Sequence, residues 1–252
     1  MSQNKDISPD ELRRRLDALK LPYLRDHAEE LAKQAAAGKW THTQFLARLL
    51  EGETAQRHDN ARARRIREAA FPVVKTLEQF DFTWPTKINR DAVRNLFRLN
   101  FVREKAAAIL IGGVGLGKSH LAVALGYAAC EAGFRVRFTT AIGMVNDLSA
   151  AQSAGRLALE LKKYTRPSLL VVDELGYLAI DKHGGDLIFQ VISERYERGA
   201  IIVTANKPFK HWPSIFNNDT TLTSALLDRM LHHSETIVIE GKSYRMKDRI
   251  EP

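Results

Sequence analysis

The sequence predicts an α/β fold: a parallel-sheet core preceded by a helical N-terminal domain. Three observations carry this. From about residue 105, apolar runs at 107–111, 135–139, 168–172, 200–204 and, later, 236–240 alternate with helix-length segments. That alternation is the mark of a parallel sheet with crossover helices. The first run ends in a glycine-rich turn and a helix start, ILIGGVGLGKSHL at 109–121. Residues 8–70, in contrast, show only helical periodicity.

The helical region is punctuated by its own start and stop signals. Ser8-Pro9-Asp10-Glu11 is a capping box with proline at the first helical position, and Leu12, Leu16 and Leu19 follow on one face. Pro22 marks a second start, with Leu24, Ala28, Leu31 and Ala35 on its face and Gly38 at its end. Thr41-His42-Thr43-Gln44 is a second capping box, opening a helix with Phe45, Leu46, Leu49 and Leu50 that is expected to reach Arg67 despite Gly52. These helices place a small helical domain at 1–70, ahead of a second domain at 71–252. The join contains FDFTWPTKINRDAVRNLF at 80–97, a candidate wall for a base pocket.

Composition narrows the function classes. Lys and Arg total 38 against 30 Asp and Glu, a net charge of +8 and a pI near 9.6, which favours a polyanionic partner. The single cysteine, Cys130, excludes an intramolecular disulfide, fits a reducing cytoplasm and is expected as a core thiol. MSQNKDISPDELRRR lacks the apolar stretch of a signal peptide, and no run reaches the ~18 apolar residues of a membrane span.

The turn after the first strand matches G-x-x-x-x-G-K-[ST] with Gly112, Gly117, Lys118 and Ser119. Gly113, Val114, Gly115 and Leu116 complete the loop, and His120 follows it. Glycines let backbone N–H groups face a phosphate, the lysine reaches the β- and γ-phosphates, and the serine hydroxyl ligates Mg²⁺. The helix beyond adds its positive N-terminal end. ATP and Mg²⁺ are therefore the expected cofactors. SLLVVDE (168–174) is an apolar strand running into two carboxylates. Asp173 would hold Mg²⁺, and Glu174 would polarise an attacking water, which points to hydrolysis. Asn206, at the tip of the run 200–204, suits a sensor of the γ-phosphate. Arg229, in ALLDRM, would enter a neighbouring subunit's site as an arginine finger. Arg245 is a candidate second sensor acting in its own subunit. Arg195 is expected on a helix surface. His232-His233 lacks further ligands at metal-site spacing.

RHDNARARRIR (57–67) carries Arg57, Arg62, Arg64, Arg65 and Arg67. At 100° per residue Arg57 and Arg64 nearly superimpose, with Arg65 and Arg67 flanking them. Such an arc suits phosphate contact without base reading, although a solvated helix face shows the same pattern. The stretch between the second and third strands adds Arg156, Lys162, Lys163 and Arg166, candidates for lining a DNA channel in an oligomer.

Taken together, the chain resembles the IstB-type helper ATPases of bacterial insertion sequences, relatives of the helicase loader DnaC in the initiator branch of the AAA+ ATPases. The matching segments are GGVGLGKSHLAVALG (112–126), LLVVDELGYL (169–178), IIVTANKPFKHW (201–212) and LLDRMLHHSETIVIEGKSYRMK (226–247). The resemblance implies a P-loop AAA+ core, ATP-dependent assembly of a homo-oligomer with ATP sites at subunit interfaces, binding of double-stranded DNA with little sequence preference, and delivery of that DNA to a partner transposase. It places nucleotide binding at Gly112–Ser119, Mg²⁺ and water activation at Asp173 and Glu174, sensing at Asn206, and the trans arginine at Arg229. After 236–240 only about a dozen residues remain, too few for a C-terminal helical lid. A helicase loader that grips a helicase through its N-terminal helices shares this shortness and is the alternative reading. A P-loop kinase fits less well, because Glu174 and Arg229 both serve hydrolysis.

Overall fold

By its internal contacts the chain divides between Arg64 and Arg65, within the third helix. The structure is a computed structural model and describes residues 8–246. Residues 1–7, from the stretch read for a leader, and 247–252, the end of the tail read as too short for a lid, lie outside the described residues.

The first unit contains α1 (Pro9–Ala18), α2 (Pro22–Ala37) and most of α3 (His42–Ala69). The Thr41 capping box forms in full, whereas the Ser8 end keeps only its hydroxyl cap, because the Glu11 carboxylate pairs with Arg15 at 2.6 Å. The Ser8 hydroxyl accepts the Glu11 N–H at 3.2 Å, and Thr41 and Gln44 exchange bonds of 2.8 and 3.2 Å. No local side chain caps α2. Glu53 of α3 does so from a distance: it is 3 % exposed and accepts the N–H groups of Tyr23 (3.0 Å) and Leu24 (3.4 Å). Gly52 survives inside α3 because a Cβ there would lie 2.0 Å from the Tyr23 ring.

The second unit is a three-layer α/β/α sandwich. Its helices are α4 (Arg90–Leu96), α5 (Asn100–Arg103), α6 (Lys118–Glu131), α7 (Ala141–Ser153), α8 (Leu157–Thr165), α9 (Lys182–Arg195) and α10 (Thr220–Leu231). The strands are β1 (Ala107–Gly112), β2 (Val136–Thr140), β3 (Leu169–Leu175), β4 (Ala200–Ala205) and β5 (Ser234–Ile239). They pair in parallel in the order β2-β3-β4-β1-β5. Alternate residues of β1 enter opposite cores: Ala108 and Leu110 pack beneath α6, while Ala107, Ile109 and Ile111 face the side of α7 and α9. β3 runs three residues beyond its expected end at 172, so both carboxylates lie within the strand. Cys130 is fully buried, and burial pushes its thiol up to about 11. Among the described residues, no helix is long and apolar enough to cross a membrane.

Arg195 departs from the surface position expected for it. It is 2 % exposed, and its guanidinium donates to the carbonyls of Tyr164 (2.7 Å), Pro167 (3.0 Å), Ser168 (3.3 Å) and Ala200. These carbonyls bracket the start of β3 and β4, and Gly199 leaves room because a Cβ there would sit 2.6 Å from Nη2. Arg195→Met keeps the aliphatic volume but orphans several buried carbonyls, each costing about 1–3 kcal/mol. The expected loss of stability is about 3 kcal/mol or more, read as a shift of the urea midpoint. An unshifted midpoint would show that these carbonyls find other donors.

Candidate functional site

The P-loop leaves the carboxyl end of β1, whose neighbours are β4 and β5. Ligands of open parallel sheets bind at such carboxyl ends. Gly112 passes so close to β5 that a Cβ would lie 2.4 Å from the Ile239 carbonyl oxygen. Gly115 (φ +75°) and Gly117 (φ +84°) take left-handed conformations, and Lys118 begins α6. Lys118 is 4 % exposed, and its Nζ donates to the Gly113 carbonyl at 2.7 Å, within the loop itself. Burial lowers its pKa, Asp173 opposes that shift, and Arg245 adds to it. A buried cation whose acceptor among the described residues is a single loop carbonyl is suited to an anionic ligand.

Across the crevice, the Ser119 hydroxyl donates to Asp173 Oδ1 at 3.0 Å, joining the loop to β3. Glu174 is exposed and left-handed (φ +63°), at a register shift between Val172 and Leu175 in the β3–β4 ladder. Asn206 follows the last residue of β4, the strand beside β3, and its Oδ1 is buried with no hydrogen-bond partner among the described residues. Sequence reasoning missed Thr204. It is fully buried, donates to Asp173 Oδ1 and accepts the Glu174 N–H at 3.0 Å. In the run AIIVTA its hydroxyl gave no signal, because threonine is an ordinary strand residue.

A cavity of about 530 Å³ opens over the loop and reaches Lys118, Ser119, Asp173 and Tyr177. Its less polar wall is formed by Pro72, Val73, Phe80, Trp84, Pro85 and Tyr244. From the stretch expected to form this wall, residues 80–97, only Phe80, Asp81, Trp84 and Pro85 line the cavity, which begins instead at Pro72. His120 Nε2 lies 2.8 Å from the Thr76 carbonyl and so carries the proton; burial lowers the ring's pKa. The segment after β5 closes the other side. Tyr244 N–H donates to the Gly115 carbonyl at 2.8 Å, and Trp84 Nε1 donates to the Lys242 carbonyl at 2.8 Å. Arg245 thereby lines the same cavity as Lys118.

The residues fit both implied groups. The left-handed glycines and buried Lys118 suit a triphosphate, and Ser119 and Asp173 put two oxygen donors side by side for Mg²⁺. Among the described residues there is no cluster of three or more His, Cys, Asp or Glu side chains that could hold a metal. Mg²⁺ commonly completes its shell with phosphate oxygens and water, so this sparse set suffices.

Arg229 lies elsewhere. It shares a pocket with Ala107 and Ile201, at the amino ends of β1 and β4, whereas the P-loop follows the carboxyl end of β1. Its guanidinium stands 4.7 Å from the Phe189 ring centroid and donates to the Ala225 carbonyl of its own helix at 3.0 Å.

The basic candidates are dispersed. Arg57, Arg62 and Arg64 belong to the first unit and are exposed; Arg65 and Arg67 belong to the second. Arg57 bonds Glu53 (3.0 Å) and the Lys20 carbonyl (2.7 Å), and half-buried Arg65 bonds the Cys130 carbonyl (2.9 Å). Lys162, Lys163 and Arg166 are exposed on and just after α8, with Lys163 paired to Glu160 at 2.7 Å.

Comparison with known proteins adds the following. The family described as IstB-like ATP binding protein matches residues 14–252. The ATP-binding protein of insertion sequence IS21 from Pseudomonas aeruginosa is 41 % identical, over 93 % of this chain and 88 % of that one. The corresponding protein of insertion sequence IS5376 from Geobacillus stearothermophilus is 36 % identical over 92 % of each. The crystal structure of the DnaC helicase loader superimposes with a TM-score of 0.52 at 23 % identity, covering 66 % of this chain and 96 % of that one, a likeness of fold.

Proposed function

The chain belongs to the IstB-like ATP-binding protein family, and on that premise we propose that it is an Mg²⁺-dependent ATPase that assembles on double-stranded DNA and delivers it to a partner transposase. Its relatives are named for insertion sequences, which supports the transposition reading. The observation that carries the enzyme reading is the Ser119–Asp173 contact, which joins the phosphate loop to the acidic strand beside a buried lysine.

In this reading Lys118 leaves the Gly113 carbonyl for the β- and γ-phosphates. Ser119 and Asp173 hold Mg²⁺, which supplies charge neutralisation at the phosphates. Glu174, exposed beside that pair, orients the attacking water, and Asn206 and Arg245 read the γ-phosphate. Arg229 completes the site of an adjacent subunit in a homo-oligomer acting in the cytoplasm. DNA is held through phosphates by exposed basic residues of α3 and α8, without base reading.

The test is sizing of the protein with duplex DNA, a non-hydrolysable ATP analogue, or both. Large assemblies are expected only with both, on duplexes of unrelated sequence. Assemblies formed around a hexameric helicase and not around DNA would overturn the transposition reading. Arg57 and Arg65 have internal carbonyl partners, so replacing them also perturbs folding. Arg62→Gln with Arg64→Gln, and separately Lys162→Gln with Arg166→Gln, avoid those two bonds. Each pair should weaken binding to any duplex and flatten the salt dependence by about 0.9 log unit per lost phosphate contact. A salt slope unchanged in both pairs would place the DNA surface elsewhere.

A further inference from the structure

We propose that Thr204 is a positioning residue for hydrolysis, whose hydroxyl ties the backbone of Glu174 to the carboxylate of Asp173. This rests on the ATPase reading and deepens it. Thr204 is fully buried in the middle of the sheet, on β4 between β1 and β3. Valine would fill such a position with the same shape and no polar atom. The hydroxyl is therefore the feature to explain.

A threonine hydroxyl has one proton to give and lone pairs to accept with. Here both capacities go to the acidic pair. Glu174 N–H donates to Thr204 Oγ1 at 3.0 Å, and Thr204 Oγ1–H donates to Asp173 Oδ1. Ser119 Oγ donates to that same carboxylate oxygen at 3.0 Å. The chain has one direction, from amide through hydroxyl to carboxylate, and its charged end strengthens the links before it. Oδ1 is thus fixed from two sides, by the phosphate loop and by β4.

The other end of the chain explains a strained residue. The β3–β4 ladder pairs Val172 with Val203 and Leu175 with Ala205, so the bulge leaves Asp173 and Glu174 facing Thr204 alone. Glu174 takes a left-handed conformation that side-chain-bearing residues rarely adopt (φ +63°), and it persists only where its surroundings hold it. The Thr204 oxygen supplies the acceptor that a regular ladder would have given to the Glu174 N–H. Thr204 reaches no reacting atom. It acts by keeping the carboxylates of Asp173 and Glu174 at a fixed offset from one another.

The experiment compares Thr204→Val and Thr204→Ser with the unaltered full-length protein. The measurements are affinity for a fluorescent ATP analogue, kcat and KM for ATP hydrolysis on DNA, and the Mg²⁺ concentration giving half-maximal rate. Loss of a partner that orients a metal-binding carboxylate commonly costs about 10–100-fold in metal affinity or activity. Thr204→Val is expected to lose kcat by about that factor and to require more Mg²⁺, with KM for ATP little changed. Thr204→Ser restores the hydroxyl and should recover most of kcat. Normal kcat and Mg²⁺ dependence in Thr204→Val would overturn the proposal, as would a Thr204→Ser variant as slow as the valine one. Should the valine variant fail to fold, Thr204→Cys, with a weaker donor, carries the same test: normal kcat there overturns it. An unaltered protein that hydrolyses no ATP refutes the ATPase reading, and this proposal with it.

Discussion

Subunits carrying Arg229→Ala are expected to bind ATP normally and to hydrolyse it at least about 10³-fold more slowly, the scale on which an arginine finger acts. Nothing in the P-loop cavity is touched by the change, because Arg229 lines a separate pocket with the amino ends of β1 and β4. The six residues of β1 separate the two places, about 16 Å at the rise of an extended strand. That is beyond the reach of an arginine side chain, so any contact with a phosphate is with another subunit's. The stacking of Arg229 on Phe189 holds it at the surface of its own subunit. Mixing provides the decisive measurement. A Glu174→Gln subunit has an intact Arg229, and an Arg229→Ala subunit has intact acidic residues. In the proposed assembly, an interface where a Glu174→Gln subunit lends its arginine to the site of an Arg229→Ala subunit is competent and the reverse one is not, so ATPase activity should still rise above that of either pure variant and peak at an intermediate ratio. A rate that only interpolates between the two, with co-assembly shown independently, would falsify catalysis in trans by Arg229. Arg195 cannot replace it in that event, since its guanidinium is buried among backbone carbonyls.

Lys118→Ala and Glu174→Gln should separate binding from chemistry. Lys118 is a buried cation held by one carbonyl of its own loop, ready to exchange that partner for a phosphate. Hydrogen bonds to charged groups are worth about 1.5–3 kcal/mol. Affinity for ATP should therefore fall by about 10- to 150-fold in Lys118→Ala, and hydrolysis with it. Glu174→Gln keeps the loop, the Ser119–Asp173 pair and the backbone bond to Thr204. It should bind ATP and DNA fully while hydrolysis falls by about 10²–10⁴-fold, the usual contribution of a general base. The expected result is a trapped, DNA-bound assembly, seen by sizing and by single-turnover kinetics. Normal turnover in Glu174→Gln would remove that residue as the water-activating base.

Some of this protein was legible residue by residue. The helix caps at Ser8 and Thr41, the strand–loop–helix around Gly112–Ser119 and the acidic end of the third apolar run each depend on neighbours a few positions away in sequence. Local sterics and local hydrogen bonding decide such features, so the pattern alone was sufficient. The alternation of apolar runs likewise implied a parallel sheet, because parallel strands need crossover segments between them.

Other features required the fold. Gly52 and Gly112 look like weak points in a helix and a strand, yet each is where another element passes too close for a side chain. The cavity wall draws on residues 72–85 and on Tyr244 and Arg245, from two segments that meet where Trp84 Nε1 donates to the Lys242 carbonyl. In the matching segment IIVTANKPFKHW, Trp212 is fully buried, a packing residue. Arg195 and Arg229 occupy similar helical contexts in the sequence and line one pocket, but Arg195 is buried among carbonyls at the starts of β3 and β4, whereas Arg229 is partly exposed. Thr204 is the sharpest case. Periodicity identifies a residue that faces a neighbour, but a hydroxyl's role depends on which acceptor and which donor lie about 3 Å away. Those partners, Asp173 and Glu174, are some thirty positions distant in the chain and are brought there only by the pairing of β3 with β4.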